Sequence, residues 1–370
     1  MRHTLNTGPG KAAEIYTGSA VLQELNAWLG SRLSITDSIF FLTDKKTRSC
    51  CHEYLTTIVP SLKPAEVFEI PAGEKNKSLK SAENLWNLLA GKGASRRSLL
   101  INLGGGVITD LGGFVASTFK RGIPFIHIPT SLLGMVDAAI GGKTGINLAD
   151  IKNQVGTFHY PEAIFIHTGF LGTLDSAELL SGFAEIIKIA LVADIRLWEK
   201  LVSVRLEDLM KSQPDGVMWE DLVSASVELK CRIVEQDFRE QNLREILNFG
   251  HTIGHAFESL SLQKTRTPLS HGHAVALGMI CESCLSVVKT GLDPKDRDAI
   301  IQRIFPDYKY YPLQMGDLDF MMEFIGHDKK RIGPGSRFSL LKSPGNAISG
   351  ITCHPGEIIE SINFYRTLER

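Results

Sequence analysis

The chain has 370 residues, with 40 lysines and arginines against 41 aspartates and glutamates, for a formal charge of −1. At roughly 150 residues per domain this length predicts two domains. The 43% hydrophobic and 22% charged content is that of a globular protein. The charge balance excludes a nucleic-acid binder acting through a net basic field, but not a local basic cluster around a small anion. No apolar run approaches the about 20 residues that span a bilayer. The start, MRHTLNTGPGK, lacks the apolar stretch of a signal peptide. A cytoplasmic enzyme with no nucleic-acid or membrane partner is therefore expected. Six cysteines are too few for a disulfide scaffold. Cys281 and Cys284 form a lone CxxC in an apolar segment and read as buried thiols rather than half of a zinc site.

In chain order, residues 38–43 (SIFFLT) and 67–70 read as buried strands, and 79–89 has helical spacing. Residues 98–103 (SLLINL) form a third strand running into Gly104, Gly105 and Gly106, and 125–128 (FIHI) a fourth, closed by Pro129. This alternation predicts parallel βαβ units. From about Thr173 long helical periods take over, at 174–193, 195–210, 217–235, 244–261 and 271–290, with Asp175 and Glu178 spaced as a capping box. Residues 263–268 read as a loop and 331–337 (RIGPGSR) as a turn ahead of a short hairpin. The fold class that follows is an α/β N-terminal domain over 1–170 and an all-α C-terminal domain over 171–370, with the boundary inside 165–175.

Three constellations carry chemistry. The strand–glycine–helix run LLINLGGGVITD can bring backbone N–H groups and a helix N-terminus to a pyrophosphate, although Thr109 replaces the third glycine of the GxGxxG fingerprint. Two other strand ends, Thr43-Asp44 and Pro129-Thr130-Ser131, are polar, and ligands of open α/β sheets sit at such ends. Second, His251 and His255 share a helix face, His271 and His273 follow, and Glu185 and Lys188 share a face upstream. Four of the eleven histidines fall between 251 and 273. Two imidazoles and a carboxylate suit a divalent ion with an open position. HTIGH lacks the glutamate of a metalloprotease motif. Third, Lys143, Lys152-Asn153, Lys230, Arg244, Asn248 and Lys329-Lys330 are polar groups set beside glycine, asparagine or apolar residues, as a phosphate and a carboxylate would require. GGKT is not a P-loop, because the leading glycine spacing fails.

Together, GGGVITDLGGFVAST, KRGIPFIHIPTSLLGMVDAAIGGKTGIN, GFAEIIK, LREILNFGHTIGHAFE and HGHAVALGM resemble the 3-dehydroquinate synthase family. Weaker matches, including TD at 43–44, PAGE at 71–74 and HDKK at 327–330, extend over nearly the whole chain. The resemblance implies a Rossmann-like N-terminal domain, a helical C-terminal domain and an active site between them. It implies Glu185, His251 and His271 as ligands of zinc or cobalt. It matches Asp44, Glu74, Lys77, Gly105, Gly106, Val107, Asp110, Thr130, Ser131, Asp137, Lys152, Phe170, Thr173 and Leu174 to positions that hold NAD. Asp137, Lys143, Lys152, Asn153, Lys188, Lys230, Arg244, Asn248, His255 and Lys329 match the substrate pocket, and Arg121 an arginine that reaches a neighbouring subunit, implying a homodimer. The implied substrate is a phosphorylated sugar acid, 3-deoxy-D-arabino-heptulosonate 7-phosphate. The implied reaction is transient oxidation by NAD, loss of phosphate, reduction and ring closure.

The chain departs from the family pattern at His273, where HGE is usual, and at Phe238, where an acid is commoner. Related cyclases acting on substrates without a carboxylate tend to lose the arginine before LNFGH, and Arg244 is present here. Metal-dependent polyol dehydrogenases share the architecture, but glycerol needs no dense cationic cluster. A non-catalytic binding module would not be expected to keep every ligand and lysine.

Overall fold

The computed structural model of the chain describes residues 1–6, 12–149, 151–314, 316–327 and 335–368. Two compact units are present: residues 1–175 with 212–238, and residues 176–211 with 239–370. The single boundary expected at 170/171 thus falls at 175/176, and one helical stretch, 212–238, returns to the first unit.

The first unit is built on a seven-stranded sheet. Its strands are β1 (Arg2–Asn6), β2 (Ala12–Thr17), β3 (Ile39–Asp44), β4 (Glu66–Ile70), β5 (Leu99–Gly104) and β6 (Phe125–Pro129). A separate hairpin, β7 (Lys143–Leu148) and β8 (Ile151–Phe158), precedes the seventh sheet strand, β9 (Ala163–Ile166). The sheet order is β1-β2-β9-β6-β5-β3-β4, with β1 antiparallel and every other pairing parallel. β5 is buried at all six positions and β9 at all four, as parallel strands covered on both faces must be. Helices Leu79–Gly91 and Gly106–Thr118 pack on β3–β6 through Phe40, Leu42, Leu85, Leu89, Leu111 and Phe114. From β3 the chain moves outward to β4; from β5 it moves the other way to β6 and β9. The carboxyl ends of β3 and β5 therefore flank a topological switch point.

The second unit holds helices Ser176–Ala193, Ile195–Ser203, Leu206–Lys211, His251–Lys264, His271–Thr290, Pro294–Ile304, Asp317–His327 and Pro355–Arg366. The expected α/β-plus-helical class holds, and the short hairpin expected after 331–337 is present as the antiparallel β10 (Ser336–Ser343) and β11 (Asn346–Cys353), the strands this otherwise helical unit carries. The helix expected over 195–210 is broken where Val204 turns extended (φ −95°, ψ 124°). The helix expected over 244–261 is broken at Gly250, whose φ of +80° ends a 3₁₀ turn, Leu243–Asn248, and opens the next helix. Helix His271–Thr290 is, by length and mean hydropathy (1.3), apolar enough to cross a membrane, contrary to the sequence reading; 78% of its most apolar window is buried inside the protein, so it serves as a core helix. Cys281 is buried as expected, and Cys284 is half-buried.

Asn102 of β5 faces His127 of β6, with Asn102 Nδ2 3.2 Å from His127 Nδ1. Burial holds this imidazole down to about 3, against an ordinary value of 6.5. Between those values the unfolded chain binds the extra proton, so this group's contribution is intact above 6.5 and drains away as pH falls. From pH 7 to pH 5 the wild-type chain should lose about 2 kcal/mol more stability than His127→Gln, which keeps an acceptor but does not titrate. Urea unfolding at the two pH values measures it; equal losses would refute it.

Candidate active site

In the helical unit, Glu185 and Lys188 lie one turn apart on helix 176–193 and form an ion pair, with side chains 1% and 3% exposed. A carboxylate this deeply buried needs opposite charge and donors around it. Glu185 Oε1 stands 3.6 Å from His251 Nε2 and 3.5 Å from His271 Nε2. His255 completes a trio in which the ligand atoms of His251, His255 and His271 all lie within 4.8 Å of one another. Glu258, also on helix 251–264, brings Oε2 to 3.5 Å from His271 Nδ1. Burial, reinforced by Lys188, pushes the His251 imidazole well below its ordinary value. Burial acts the same way on His271, but Glu185 and Glu258 outweigh it and raise that imidazole to about 9.

Close backbone contacts set this geometry. A Cβ on Gly272 would lie 2.0 Å from Ser181 O, and the Gly272 N–H donates to Ser181 Oγ at 3.0 Å; this seats His271 one helical turn from Glu185. A Cβ on Gly250 would lie 2.5 Å from Met279 Cγ, so helix 251–264 starts directly against helix 271–290. Glu282, fully buried on the latter helix, accepts from the Gly250 N–H (2.7 Å) and the Ile253 N–H (3.0 Å). It caps the helix that bears His251 and His255, where a negative charge is favoured. Arg244 is buried and Asn248 donates to Glu240 Oε1 at 2.9 Å, both on the 3₁₀ turn ahead of that helix. His273 turns elsewhere: its Nε2 is 2.8 Å from Lys309 O and its ring stands edge-on to Tyr308. Lys329 lies outside the described residues.

In the α/β unit most of the residues matched to NAD follow the carboxyl ends of neighbouring parallel strands, while Lys152 lies on β8 of the separate hairpin. Asp44 ends β3, where its carboxylate accepts from the Thr47 N–H and Oγ1 at 3.0 and 2.9 Å. Gly105, Gly106 and Val107 follow β5, and no side chain caps the helix that Gly105 opens. A Cβ on Gly105 would lie 3.0 Å from Ser131 Oγ, while the Thr130 N–H donates to Gly104 O. After β9 come Phe170, Thr173 and Leu174, with Thr173 Oγ1 bonded to Phe170 O. After β4, the buried Lys77 pairs with Asp110 (2.9 Å) and Glu74 (3.2 Å) and donates to Asn153 Oδ1 (2.6 Å). Burial pushes the Lys77 pKa down, but Asp110 and Glu74 outweigh it and raise it above the ordinary value. Lys230 reaches Asp137, bonding its backbone O at 2.6 Å and its carboxylate. Lys143, Lys152 and Arg121 are exposed, and Arg121 sits at φ +68° in a turn after helix 106–118.

The motifs thus bring together Glu185, Lys188, His251, His255 and His271 in one unit, and Glu74, Lys77, Asp110 and Asn153 in the other. Sequence reasoning missed Glu258, Glu282, Glu240 and Asn147 as supports of these groups. Only Glu282 carried a signal, a lone charge within the apolar run GMICESCLSVV. Glu282→Gln presents an amide N–H₂ to one of two buried donors. It should lower the unfolding free energy by about 1.5–3 kcal/mol, measured by urea titration; an unchanged midpoint would remove Glu282 from this role.

Comparison with known proteins agrees with the sequence resemblance. The 3-dehydroquinate synthase N-terminal family matches residues 67–181 and the 3-dehydroquinate synthase C-terminal family residues 182–331. A 3-dehydroquinate synthase of Parabacteroides distasonis is 44% identical over 333 residues, covering 89% of this chain and 92% of that one. Among solved structures, a 2-deoxy-scyllo-inosose synthase complexed with carbaglucose-6-phosphate, NAD⁺ and Co²⁺ superposes with a TM-score of 0.84 at 22% identity, covering 99% of both chains. A 2-epi-5-epi-valiolone synthase from Streptomyces hygroscopicus with NAD⁺ and Zn²⁺ bound gives 0.81 at 24%, covering 98% of this chain and 99% of that one. These two share the fold. With both family halves matched and close relatives aligned over nearly their full length, the chain belongs to the 3-dehydroquinate synthase family.

Proposed function

We propose that the chain is a 3-dehydroquinate synthase, a lyase of the shikimate route that converts 3-deoxy-D-arabino-heptulosonate 7-phosphate to 3-dehydroquinate and phosphate. It acts in the cytoplasm with NAD and a divalent ion, zinc or cobalt. The carrying observation is the buried Glu185 carboxylate facing the Nε2 atoms of His251 and His271. One hard-edged carboxylate and two imidazoles on rigid helices are a donor set that zinc and cobalt accept. The glycine turn after β5 fits a dinucleotide as well: it opens a helix with no capping side chain, at the switch point of the sheet. When bound, NAD supplies reversible hydride exchange and the ion supplies Lewis-acid polarisation.

The chain's own groups do the rest. Lys188 pairs with the buried Glu185 carboxylate and offers it opposite charge. Glu258 holds the Nδ1 face of His271, which leaves Nε2 turned toward Glu185. Asp137 fixes the Lys230 ammonium. In this reading Arg244 and Lys152 hold the substrate carboxylate, while Lys143, Asn153, Asn248, His255 and Lys329 surround its phosphate. His255, whose ring stands against those of His251 and His271, is placed to move protons. Holding one conformer through successive steps is the proximity contribution.

The test is to give the zinc- or cobalt-loaded protein the heptulosonate phosphate with catalytic NAD. Phosphate and 3-dehydroquinate should appear in equal amounts, with no net NADH, and chelation should abolish turnover. Net NADH formation, or phosphate without dehydroquinate, would refute the reading. Arg244→Ala should lower kcat/KM about ten- to a hundred-fold through lost charge-assisted bonds of ~1.5–3 kcal/mol; unchanged kinetics would remove Arg244 from the carboxylate.

The same reading includes a homodimer in which Arg121 serves the neighbouring site. In support, the β7–β8 hairpin exposes Leu148, Ile151 and Val155, apolar side chains suited to a second copy. Arg121→Ala and His271→Ala should each be inactive alone, and mixing them with subunit exchange should restore activity, because one mixed site is complete. A monomer by sedimentation, or no recovery on mixing, would sink the shared site.

A further inference from the structure

One side chain bonded into the Lys77 cluster, Asn147, belongs to none of the assigned positions. Asn147, at the end of β7, donates through Nδ2 to Glu74 Oε1 at 2.9 Å and to Glu74 O at 3.4 Å. Its Oδ1 accepts the Asn153 N–H at 3.0 Å. Its own backbone N–H donates to Lys77 O at 2.8 Å, and it bridges Ser78 in parallel. One side-chain amide thus spends both of its donors and an acceptor on two segments far apart in sequence, 74–77 and 153.

Asn153 sits in the left-handed region at φ +55°, which asparagine tolerates better than most residues with a side chain, and the bond from Asn147 ties its backbone there. The outcome is that Asn153 Oδ1 meets Lys77 Nζ at 2.6 Å. Lys77 is itself fixed by Glu74, which Asn147 also holds. A carbonyl alone would restrain Asn153 but not Glu74; a donor alone would do the reverse. Only an amide of this length serves both.

We infer that Asn147 is a positioning residue that couples the Glu74–Lys77 segment to Asn153. The inference rests on the functional reading only in naming those two sides as the cofactor side and the substrate-phosphate side.

An asymmetric variant separates the two bonds. Asn147→Asp keeps the acceptor for the Asn153 N–H, loses the donors and sets a carboxylate against Glu74. Asn147→Ala loses both. In the metal-loaded enzyme, NAD Kd should rise about ten-fold or more in both variants. KM for the heptulosonate phosphate at saturating NAD should rise about ten-fold in Asn147→Ala and stay within about two-fold of wild type in Asn147→Asp, by analogy with losses on removing supporting partners. A residue that merely stabilised the fold would lower Tm without splitting the two constants. Both constants moving together in Asn147→Asp, or neither moving, would overturn the inference; if Asn147→Ala does not fold, Asn147→Asp against wild type still decides. Hydrogen exchange across residues 151–158 is read on the same proteins. Protection should fall in Asn147→Ala and hold in Asn147→Asp, and the reverse would refute the tether. Should the wild-type chain neither bind NAD nor turn over substrate, the functional reading falls, while the exchange result still judges the tether.

Discussion

Removing the Glu185 carboxylate from water is the constraint on which the helical unit depends. An ionised carboxylate in such a place is untenable alone, so everything near it answers to its charge. Lys188 arrives from the same helix, one turn on. The imidazoles arrive from two other helices, and those helices can approach only because Gly272 and Gly250 present no side chain at the points of contact. Glu258 and Glu282 then restrain the imidazole-bearing elements from behind, one at His271 Nδ1 and one at the first turn of helix 251–264. The three helices are thus packed around a polar object, not merely against an apolar core.

The α/β unit solves a related problem with the opposite charge. The Lys77 ammonium is buried, and Asp110 and Glu74 compensate it. Here the group lies in a loop after a strand, so backbone is recruited as well as side chains. Asn147 supplies that recruitment from β7. Both units therefore follow one rule, that a buried charge is held by a network whose members restrain one another.

Much of this was legible in the sequence because local patterns carried it. The strands β3, β4, β5 and β6 were found within a residue or so, since each is a short apolar run bounded by turn residues. β8 was missed because nearly all of it is exposed and no alternation marks it. β1 and β2 fall in a mixed-polarity stretch that shows no clean period. The helix across 244–261 was misread because apolar spacing continues through Gly250, and only the local φ breaks it. In the site, the clustering of Glu185 with His251 and His271 could be inferred from helical spacing plus family motifs. The roles of Glu258, Asn147 and Glu282 could not, because each depends on which element packs opposite, and pairwise tertiary contact leaves no trace in a single chain's spacing. His273 shows the same limit from the other side: adjacency to His271 suggested a ligand, whereas its imidazole is committed to Lys309 O.

The chain leaves the α/β unit at 175/176, returns at 211/212 and leaves again at 238/239. Neither unit is a single stretch of gene. A fragment ending at residue 175 would lack helix 217–236 and, with it, the Lys230 that secures Asp137 and the Ser224 that bonds Thr17. Exchange of one unit by recombination would have to move two separated segments at once. Neither unit can therefore be cut out or exchanged by a single break in the chain.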